Sequence, residues 1–235
     1  MLVPVEAGSR GGWLKRPVWA LYTLLALNSA VFLAVVFLPA YERILDTYGF
    51  TPAHPSALTV VSSMFLHVGF WHVAGNMFFL WTFGDDVEDV LGPGLFLGLY
   101  LLSGLGAMAV HYGADPHSTI PCVGASRAIS GVLATYIVFF PWRPMDLDLP
   151  LNQVWAKTFH TRAVFAGAIW FTEQALLALI WQHTGLAEHG GIAFWAHVGG
   201  FFTGALLGLL LRWTGAQERH RKRPWGRTLY LRPGR

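Results

Sequence analysis

The amino-acid sequence predicts an all-α, polytopic membrane protein with six transmembrane helices and both termini in the cytoplasm. The chain of 235 residues is 54% hydrophobic and only 12% charged, whereas an ordinary globular domain carries about 25% charged residues. Residues 18–38 and 47–84 contain no Asp, Glu, Lys or Arg. Backbone groups in lipid must be paired within their own segment, so such stretches should form helices. They lack two-residue alternation, which argues against a transmembrane barrel.

Six apolar segments are interpreted as spans, and prolines stand at several span edges, where a missing N–H does least harm. The predicted spans are Val18–Leu38, Trp71–Phe83 with apolar turns upstream from Leu58, Gly94–Tyr112, Val123–Phe140, Ala163–Gln182 and Gly191–Leu211. We interpret the first span as retained, because it exceeds the ~7–15 apolar residues of a signal-peptide core. The chain then divides into a cytoplasmic N-terminal segment (1–17), a membrane domain (18–211) and a basic cytoplasmic tail (212–235). Residues 142–161 are the expected cytoplasmic linker.

Basic residues set the orientation of a membrane protein. With the N-terminus in the cytoplasm, 14 of the 16 Lys and Arg residues fall on the cytoplasmic side, and Arg43 and Arg127 fall elsewhere. The net charge of +3 therefore indicates contact with anionic lipid, and the bilayer is the expected partner rather than nucleic acid. The single cysteine, Cys122, excludes an internal disulfide.

A serine and a histidine far apart in sequence are predicted to meet near the outer face. Ser126 lies near the outer end of the fourth span, and His197 lies at a similar depth on the sixth. Small residues recur every four positions on both spans, at Ser126, Ser130 and Ala134 and at Ala196, Gly200, Gly204 and Gly208. Such stripes let membrane helices approach closely, and their packing would carry His197 towards Ser126. A histidine placed there could accept the serine proton.

Spacing alone leaves structural alternatives open. Ser126 could be a small packing residue, and His197 could be a buried histidine bonded to a carbonyl. His72 and Asn76 are four residues apart and share a helix face on the second span. They could donate hydrogen bonds to an oxyanion, or they could bond to neighbouring helices and loop carbonyls. His67 is expected to hold the upstream loop.

Residues 67–89 read HVGFWHVAGNMFFLWTFGDDVED, residues 124–131 read GASRAISG and residues 196–204 read AHVGGFFTG. These three segments resemble, in order, the signature segments of rhomboid intramembrane serine proteases. IWFTEQ at residues 169–174 also looks like the family's fifth span. The resemblance implies a six-helix rhomboid-like bundle. Its site would consist of Ser126 as nucleophile, His197 as general base, and Asn76, His72 and the Ser126 N–H as the oxyanion hole.

The same resemblance implies a Ser-His dyad without an acidic third member, and it implies neither a metal nor a cofactor. Gly124 would allow the tight turn before the nucleophile, and Gly200 and Gly204 would support the close helix packing. Two residues depart from the family pattern. Arg127 stands where the family usually has glycine, and it is expected to reach water by snorkelling or to obstruct substrate. Ser130 stands where many rhomboids carry an aromatic ring that stacks on the base, so the base must be oriented otherwise.

Two acidic features lie outside the predicted site. Glu173 lies in the middle of the fifth span, where it is either a gate-tuning residue that faces inward or a paired structural carboxylate. The acidic cluster Asp85, Asp86, Glu88 and Asp89 is expected to be a solvated helix end.

The sequence therefore predicts a serine endopeptidase that cuts transmembrane proteins within or near their membrane segments. The alternative is a catalytically inactive rhomboid-like protein that binds membrane-protein clients. A transporter is disfavoured because the polar groups do not continue across the membrane. No H-E-x-x-H or G-x-G-D pattern occurs, which disfavours zinc and aspartyl proteases. By analogy, the membrane is expected to be a prokaryotic plasma membrane.

Overall fold

The computed structural model describes residues 3–6, 17–151, 155–184 and 194–215, and helices make up its membrane part. The elements in chain order are β1 (Val3–Glu6), α1 (Trp19–Val36), α2 (Tyr41–Tyr48), α3 (Ala57–Ser62), α4 (Phe70–Leu91), α5 (Pro93–Ala114), α6 (Ser126–Phe139), β2 (Pro144–Leu151), β3 (Trp155–Arg162), α7 (Ala163–Thr184) and α8 (Phe194–Trp213).

Among the described residues, four helices are long and apolar enough to cross a membrane: α1, α5, α7 and α8. Helix α6 is apolar but shorter, with 14 residues, and α4 ends in the acidic cluster. The protein is thus a helical membrane protein. The count of six spans and the cytoplasmic termini stay predictions. Most of the predicted N-terminal segment and basic tail, and the predicted start of the last span at Gly191, lie outside the described residues.

The apolar stretch before the second span is not continuous with it. Helix α3 is a separate short helix whose first turn is capped by Ser56, since the Ser56 Oγ accepts a hydrogen bond from the Thr59 N–H at 3.1 Å. Seven residues then separate α3 from the start of α4 at Phe70, which follows Gly69. Leu58 therefore belongs to an element of its own, which packs beside the bundle before the chain enters α4.

The acidic cluster is not a solvated helix end, as the sequence had suggested. Asp86, Glu88 and Asp89 are buried. The Glu88 carboxylate accepts hydrogen bonds from the N–H groups of Ala20 at 3.0 Å and Leu21 at 2.6 Å. These are donors in the first turn of α1, which have no intrahelical partner, so Glu88 acts as a cap supplied by another helix. Asp86 pairs with Arg143, at the point where the chain leaves α6.

A small antiparallel sheet occupies the predicted linker, so the all-α prediction holds only for the membrane part. Strands β2 and β3 form a hairpin in which Pro144 pairs with Arg162 and Leu151 with Trp155, and β1 adds to the other side of β2. The alternation in Met145-Asp-Leu-Asp-Leu149 is the two-residue period that is typical of a strand.

Helix α8 packs against α6 with almost no space between the two backbones. A Cβ added to Gly204 would overlap the backbone of Gly131, and one added to Gly200 would overlap the Arg127 carbonyl. The Thr135 hydroxyl bridges the helices by donating to the Gly204 carbonyl at 2.8 Å. The glycine stripe on α8 thus meets a row on α6 one position beyond the predicted serine stripe, at Arg127, Gly131 and Thr135.

Candidate active site

Ser126 stands at the first position of α6, after a turn that only glycine accommodates easily. Gly124 has a φ of +126°, a region that L side chains rarely adopt. Its N–H donates to the Ser63 carbonyl at 2.8 Å, and a Cβ at this position would lie 2.9 Å from the His72 ring. The segment that leads into the turn is fixed by two hydrogen bonds between Phe50 and Cys122.

The close packing of α6 and α8 brings Ser126 and His197 together. The Ser126 Oγ lies 2.8 Å from His197 Nε2, which is an ordinary hydrogen-bond distance. The other ring nitrogen, Nδ1, lies 2.8 Å from Oε1 of Gln174 on α7. A hydroxyl bonded to an imidazole, whose far nitrogen is itself bonded, is the arrangement that activates a serine nucleophile.

Two aromatic rings pack against the His197 imidazole. The Trp170 ring of α7 is tilted against it, with 6.2 Å between the centroids, and also stacks on Phe201 at 5.9 Å. The Phe194 ring meets it edge-on at 6.5 Å. These contacts limit the directions in which the imidazole can turn.

His72 borders this turn, since its ring lies close to Gly124, and Asn76 is four residues further along α4 on the same helix face. Asn76 is buried, and its Nδ2 has no acceptor among the described residues. The His72 Nδ1 accepts a long hydrogen bond from the Val68 N–H at 3.4 Å, which directs the Nε2 edge towards Gly124. As the first residue of α6, Ser126 adds a backbone N–H without an intrahelical partner. The role of the Asn76 amide, His72 and the Ser126 N–H as an oxyanion hole stays a prediction.

His67 lies in the loop before α4 and contacts His72. It is fully buried, its ring meets the His72 ring edge-on at 5.1 Å, and its carbonyl accepts a hydrogen bond from the Tyr41 hydroxyl at 2.6 Å. Burial, with a smaller contribution from the neighbouring Glu42, raises the pKa of Tyr41 above its usual value, so this hydroxyl remains a donor at neutral pH. The contact ties α2 to the loop that carries His67.

Arg127 does not snorkel to water, in contrast to the expectation from the sequence. It is only 1% exposed, and its guanidinium donates to the Ser63 Oγ at 3.0 Å and to the Cys122 Sγ at 2.8 Å. Its Nε has no partner among the described residues. Because Ser63 and Cys122 both flank the turn at Gly124, the two hydrogen bonds of Arg127 hold this turn in place.

Ser130 and Glu173 take positions that the sequence left open. The Ser130 hydroxyl is buried and donates to the Ser126 carbonyl within its own helix at 2.7 Å, so it contributes nothing to the orientation of the base. Glu173 is half-buried on α7, and its Oε2 is buried without a partner among the described residues. No group of three or more His, Cys, Asp or Glu side chains in the described part of the chain could hold a metal ion.

The contact that sequence reasoning missed is Gln174. The resemblance implies a dyad without a third member, and the sequence prediction for the IWFTEQ segment concerns Glu173 and not Gln174. The sequence does carry a signal for Gln174, which is a polar amide within a mostly apolar span, four residues after Trp170 and thus on the same helix face. Polar side chains inside membrane helices usually face the bundle and bond to another helix.

These features define a class: a helical membrane protein with a serine-histidine pair held between two closely packed helices. The Rhomboid domain family model matches residues 54–214. The chain belongs to the rhomboid family. This shows the family that the signature segments had suggested.

Individual relatives agree with the family assignment. The chain is 30% identical over 208 residues to Rhomboid protein 1, mitochondrial, of Saccharomyces cerevisiae, a match that covers 86% of this chain and 56% of the relative. It is 37% identical over 131 residues to Presenilin-associated rhomboid-like protein A, mitochondrial, of Danio rerio, covering 54% of this chain and 34% of the relative.

A third relative is Rhomboid-like protein 11, chloroplastic, of Arabidopsis thaliana, which is 35% identical over 103 residues, covering 42% of this chain and 36% of the relative. The matches span between about a third and somewhat over half of the length of these relatives. Their names place them in organelles, which conflicts with the expectation of a prokaryotic plasma membrane.

Proposed function

We propose that this chain is an intramembrane serine endopeptidase that cleaves transmembrane proteins within or near their membrane segments. The observation that carries the proposal is the 2.8 Å contact between Ser126 Oγ and His197 Nε2. Membership of the rhomboid family supports it. So do the His72 ring beside Gly124 and the buried Asn76 amide, whose Nδ2 has no acceptor among the described residues. The six-span topology, with both termini cytoplasmic and the site towards the outer face, is part of the proposal.

In the proposed reaction, the Ser126 oxygen attacks the carbonyl carbon of the scissile bond while its proton passes to His197 Nε2. The carbonyl oxygen becomes an oxyanion, which accepts hydrogen bonds from the Ser126 N–H, the Asn76 amide and His72. The peptide C–N bond then breaks, and the leaving amine takes the proton from His197. A water molecule, deprotonated by the same imidazole, hydrolyses the acyl-enzyme and restores the serine.

The experiment that tests this function is cleavage of single-span substrates in proteoliposomes, with wild type compared with Ser126→Ala. We expect cleavage by wild type that is lost in the variant, and we expect wild type but not the variant to be labelled by a fluorophosphonate probe. Absence of both cleavage and labelling across several substrates would reject the protease. A stable complex between the uncleaved substrate and the protein would then favour the client-binding alternative.

A further inference from the structure

We propose that Gln174 is a positioning residue that holds the His197 imidazole in the orientation and tautomer that the reaction needs. The inference rests on the proposed function as far as catalysis is concerned, whereas the contact itself belongs to the fold. Gln174 Oε1 lies 2.8 Å from His197 Nδ1, and Nε2 of the same ring lies 2.8 Å from Ser126 Oγ. One imidazole thus connects an amide on α7 with the hydroxyl at the start of α6.

The chemistry of the two bonds fixes the position of the ring proton. A neutral imidazole carries one N–H and one lone pair. Because a carbonyl oxygen only accepts, Oε1 of Gln174 requires the proton on Nδ1. The lone pair of Nε2 then faces the Ser126 hydroxyl, which is the form that can take the serine proton. In the other tautomer, Nε2–H would point at Ser126 and no base would be available.

The packing of α7 on α8 explains why Gln174 meets His197. Trp170 and Gln174 are four residues apart on α7, and His197 and Phe201 are four residues apart on α8, so each pair shares a helix face. The Trp170 ring stacks on Phe201 with 28° between the ring planes, which sets the register of the two helices. Gln174 is 8% exposed, and this burial shields its bond to His197 from competing solvent.

Gln174 also supplies what Ser130 does not. The Ser130 side chain has no ring, and its hydroxyl is bonded to the carbonyl of its own helix. Gln174 is the hydrogen-bond partner found for Nδ1 of His197 within the described part of the chain. The imidazole of His197 is therefore oriented by a residue on α7 and not by one on α6, the helix that carries the nucleophile.

The test compares three variants of the full chain reconstituted in proteoliposomes. Gln174→Leu removes the acceptor at similar volume, Gln174→Glu keeps an acceptor that cannot donate, and Thr172→Val is a matched control on the exposed side of α7. We expect Gln174→Leu to lower kcat on the order of 100-fold with KM within about twofold, as for loss of a group that orients a catalytic histidine. Gln174→Glu should recover most of kcat, with the acid limb of its pH profile at higher pH, because a carboxylate stabilises the imidazolium.

A purely structural hydrogen bond between α7 and α8 gives a different pattern. It predicts equal kcat per folded molecule for Gln174→Leu and wild type, with an unchanged pH profile for Gln174→Glu, and that result would overturn the inference. If Gln174→Leu does not fold, Gln174→Asn, whose amide is one methylene shorter, takes its place with the same expectations.

A second readout separates this inference from the proposed function. In the ¹⁵N spectrum of histidine-labelled protein, assigned with a His197→Phe variant, wild type should show His197 protonated on Nδ1. Gln174→Leu should move this signal towards a mixture of tautomers. If wild type neither cleaves nor labels but the tautomer depends on Gln174, the protease function fails and the positioning contact stands. If the tautomer is unchanged in Gln174→Leu, the positioning role is wrong even when wild type is active.

Discussion

The Ser126 hydroxyl and Nε2 of His197 lie 2.8 Å apart, although 71 residues separate them in the chain. Their meeting depends on glycine, because the backbones of α6 and α8 are in contact at Gly131 and Gly204. A serine hydroxyl alone is a weak nucleophile at neutral pH, so the contribution of each residue to the rate depends on the presence of the other. The relationship therefore predicts how substitutions combine.

We expect Ser126→Ala and His197→Ala to be strongly non-additive. Each should lower kcat by several orders of magnitude, and the double variant should be about as slow as the slower single one, because the two groups act as one unit. Rates of substrate cleavage in proteoliposomes measure this. Independent losses that multiply in the double variant would contradict a shared proton transfer.

Substitution of Asn76 should affect the rate and spare substrate binding. We expect Asn76→Ala to lower kcat by about 10²–10³-fold, the usual effect of removing one oxyanion-hole donor, with little change in KM. Asn76→Asp removes the donor at nearly the same volume and adds charge of the wrong sign, so it should be at least as slow. Steady-state kinetics of substrate cleavage measure kcat and KM of both variants. A kcat of Asn76→Ala within twofold of wild type would exclude Asn76 from the oxyanion hole.

Much of the fold was predictable because a lipid environment restricts which structures an apolar sequence can form. A charge-free run must be helical in lipid, and a four-residue stripe of small side chains must lie against another helix. The four long spans follow from these rules. The close packing of α6 on α8, which brings His197 to Ser126, follows from them as well, although the glycine stripe meets the row at Arg127, Gly131 and Thr135 rather than the predicted serine stripe. The hairpin β2–β3 also carries a sequence signal, because residues 145–149 alternate with the two-residue period of a strand, although the prediction for this segment is a linker.

The rest depended on partners that sequence spacing does not reveal. The environment of a charged residue is set by what packs over it, so neither the cap that Glu88 provides for α1 nor the burial of Arg127 could be read from their neighbours in the chain. The pairing of Gln174 with His197 requires the register of α7 on α8, which the Trp170–Phe201 stack fixes in space.

The contact between α6 and α8 predicts opposite effects for two glycine substitutions. Gly204→Ala places a methyl group against the Gly131 backbone and should lower the free energy of unfolding by about 1–3 kcal/mol. It should also reduce cleavage, because it pushes His197 away from Ser126. Gly98→Ala is the matched control, since a Cβ there meets nothing within 4 Å and alanine is the better helix former. Detergent-denaturation curves measure both, and equal stability of the two variants would contradict the close packing.

The carboxylate of Glu88 should stabilise the start of α1. Glu88→Gln leaves only one acceptor for the N–H groups of Ala20 and Leu21, and its amide N–H₂ faces donors. We expect a loss of about 1–3 kcal/mol, the cost of an unsatisfied buried group, together with faster amide exchange at Ala20 and Leu21. Glu42→Gln changes an exposed glutamate on α2 and should stay within about 0.5 kcal/mol of wild type. Equal unfolding curves for both variants would remove Glu88 as a cap.

We expect Arg127 to lower the stability of the fold and to raise the rate of cleavage. Its guanidinium is buried with two neutral partners, Ser63 and Cys122, and no carboxylate partner is found for it in the described part of the chain. Burying a cation in this way is costly, and replacing buried charges by apolar side chains of similar volume is often stabilising by about 1–4 kcal/mol. Its charge nevertheless lies beside the turn that leads into Ser126, because Ser63 and Cys122 flank Gly124. Fixed positive charge near a developing oxyanion favours the transition state.

We therefore expect Arg127→Met to unfold at higher denaturant and to cleave substrate about tenfold more slowly, a stability–activity trade-off of the kind seen at functional sites. Arg43→Met is the control, because Arg43 is an exposed cation on α2 and its loss should change neither quantity appreciably. Unfolding curves and kcat for the same preparations give both numbers. An Arg127→Met protein that is less stable than wild type, yet equally fast, would mean that the guanidinium serves only to brace the turn at Gly124. In that case the hydrogen bonds to Ser63 and Cys122 would outweigh the cost of burying the charge.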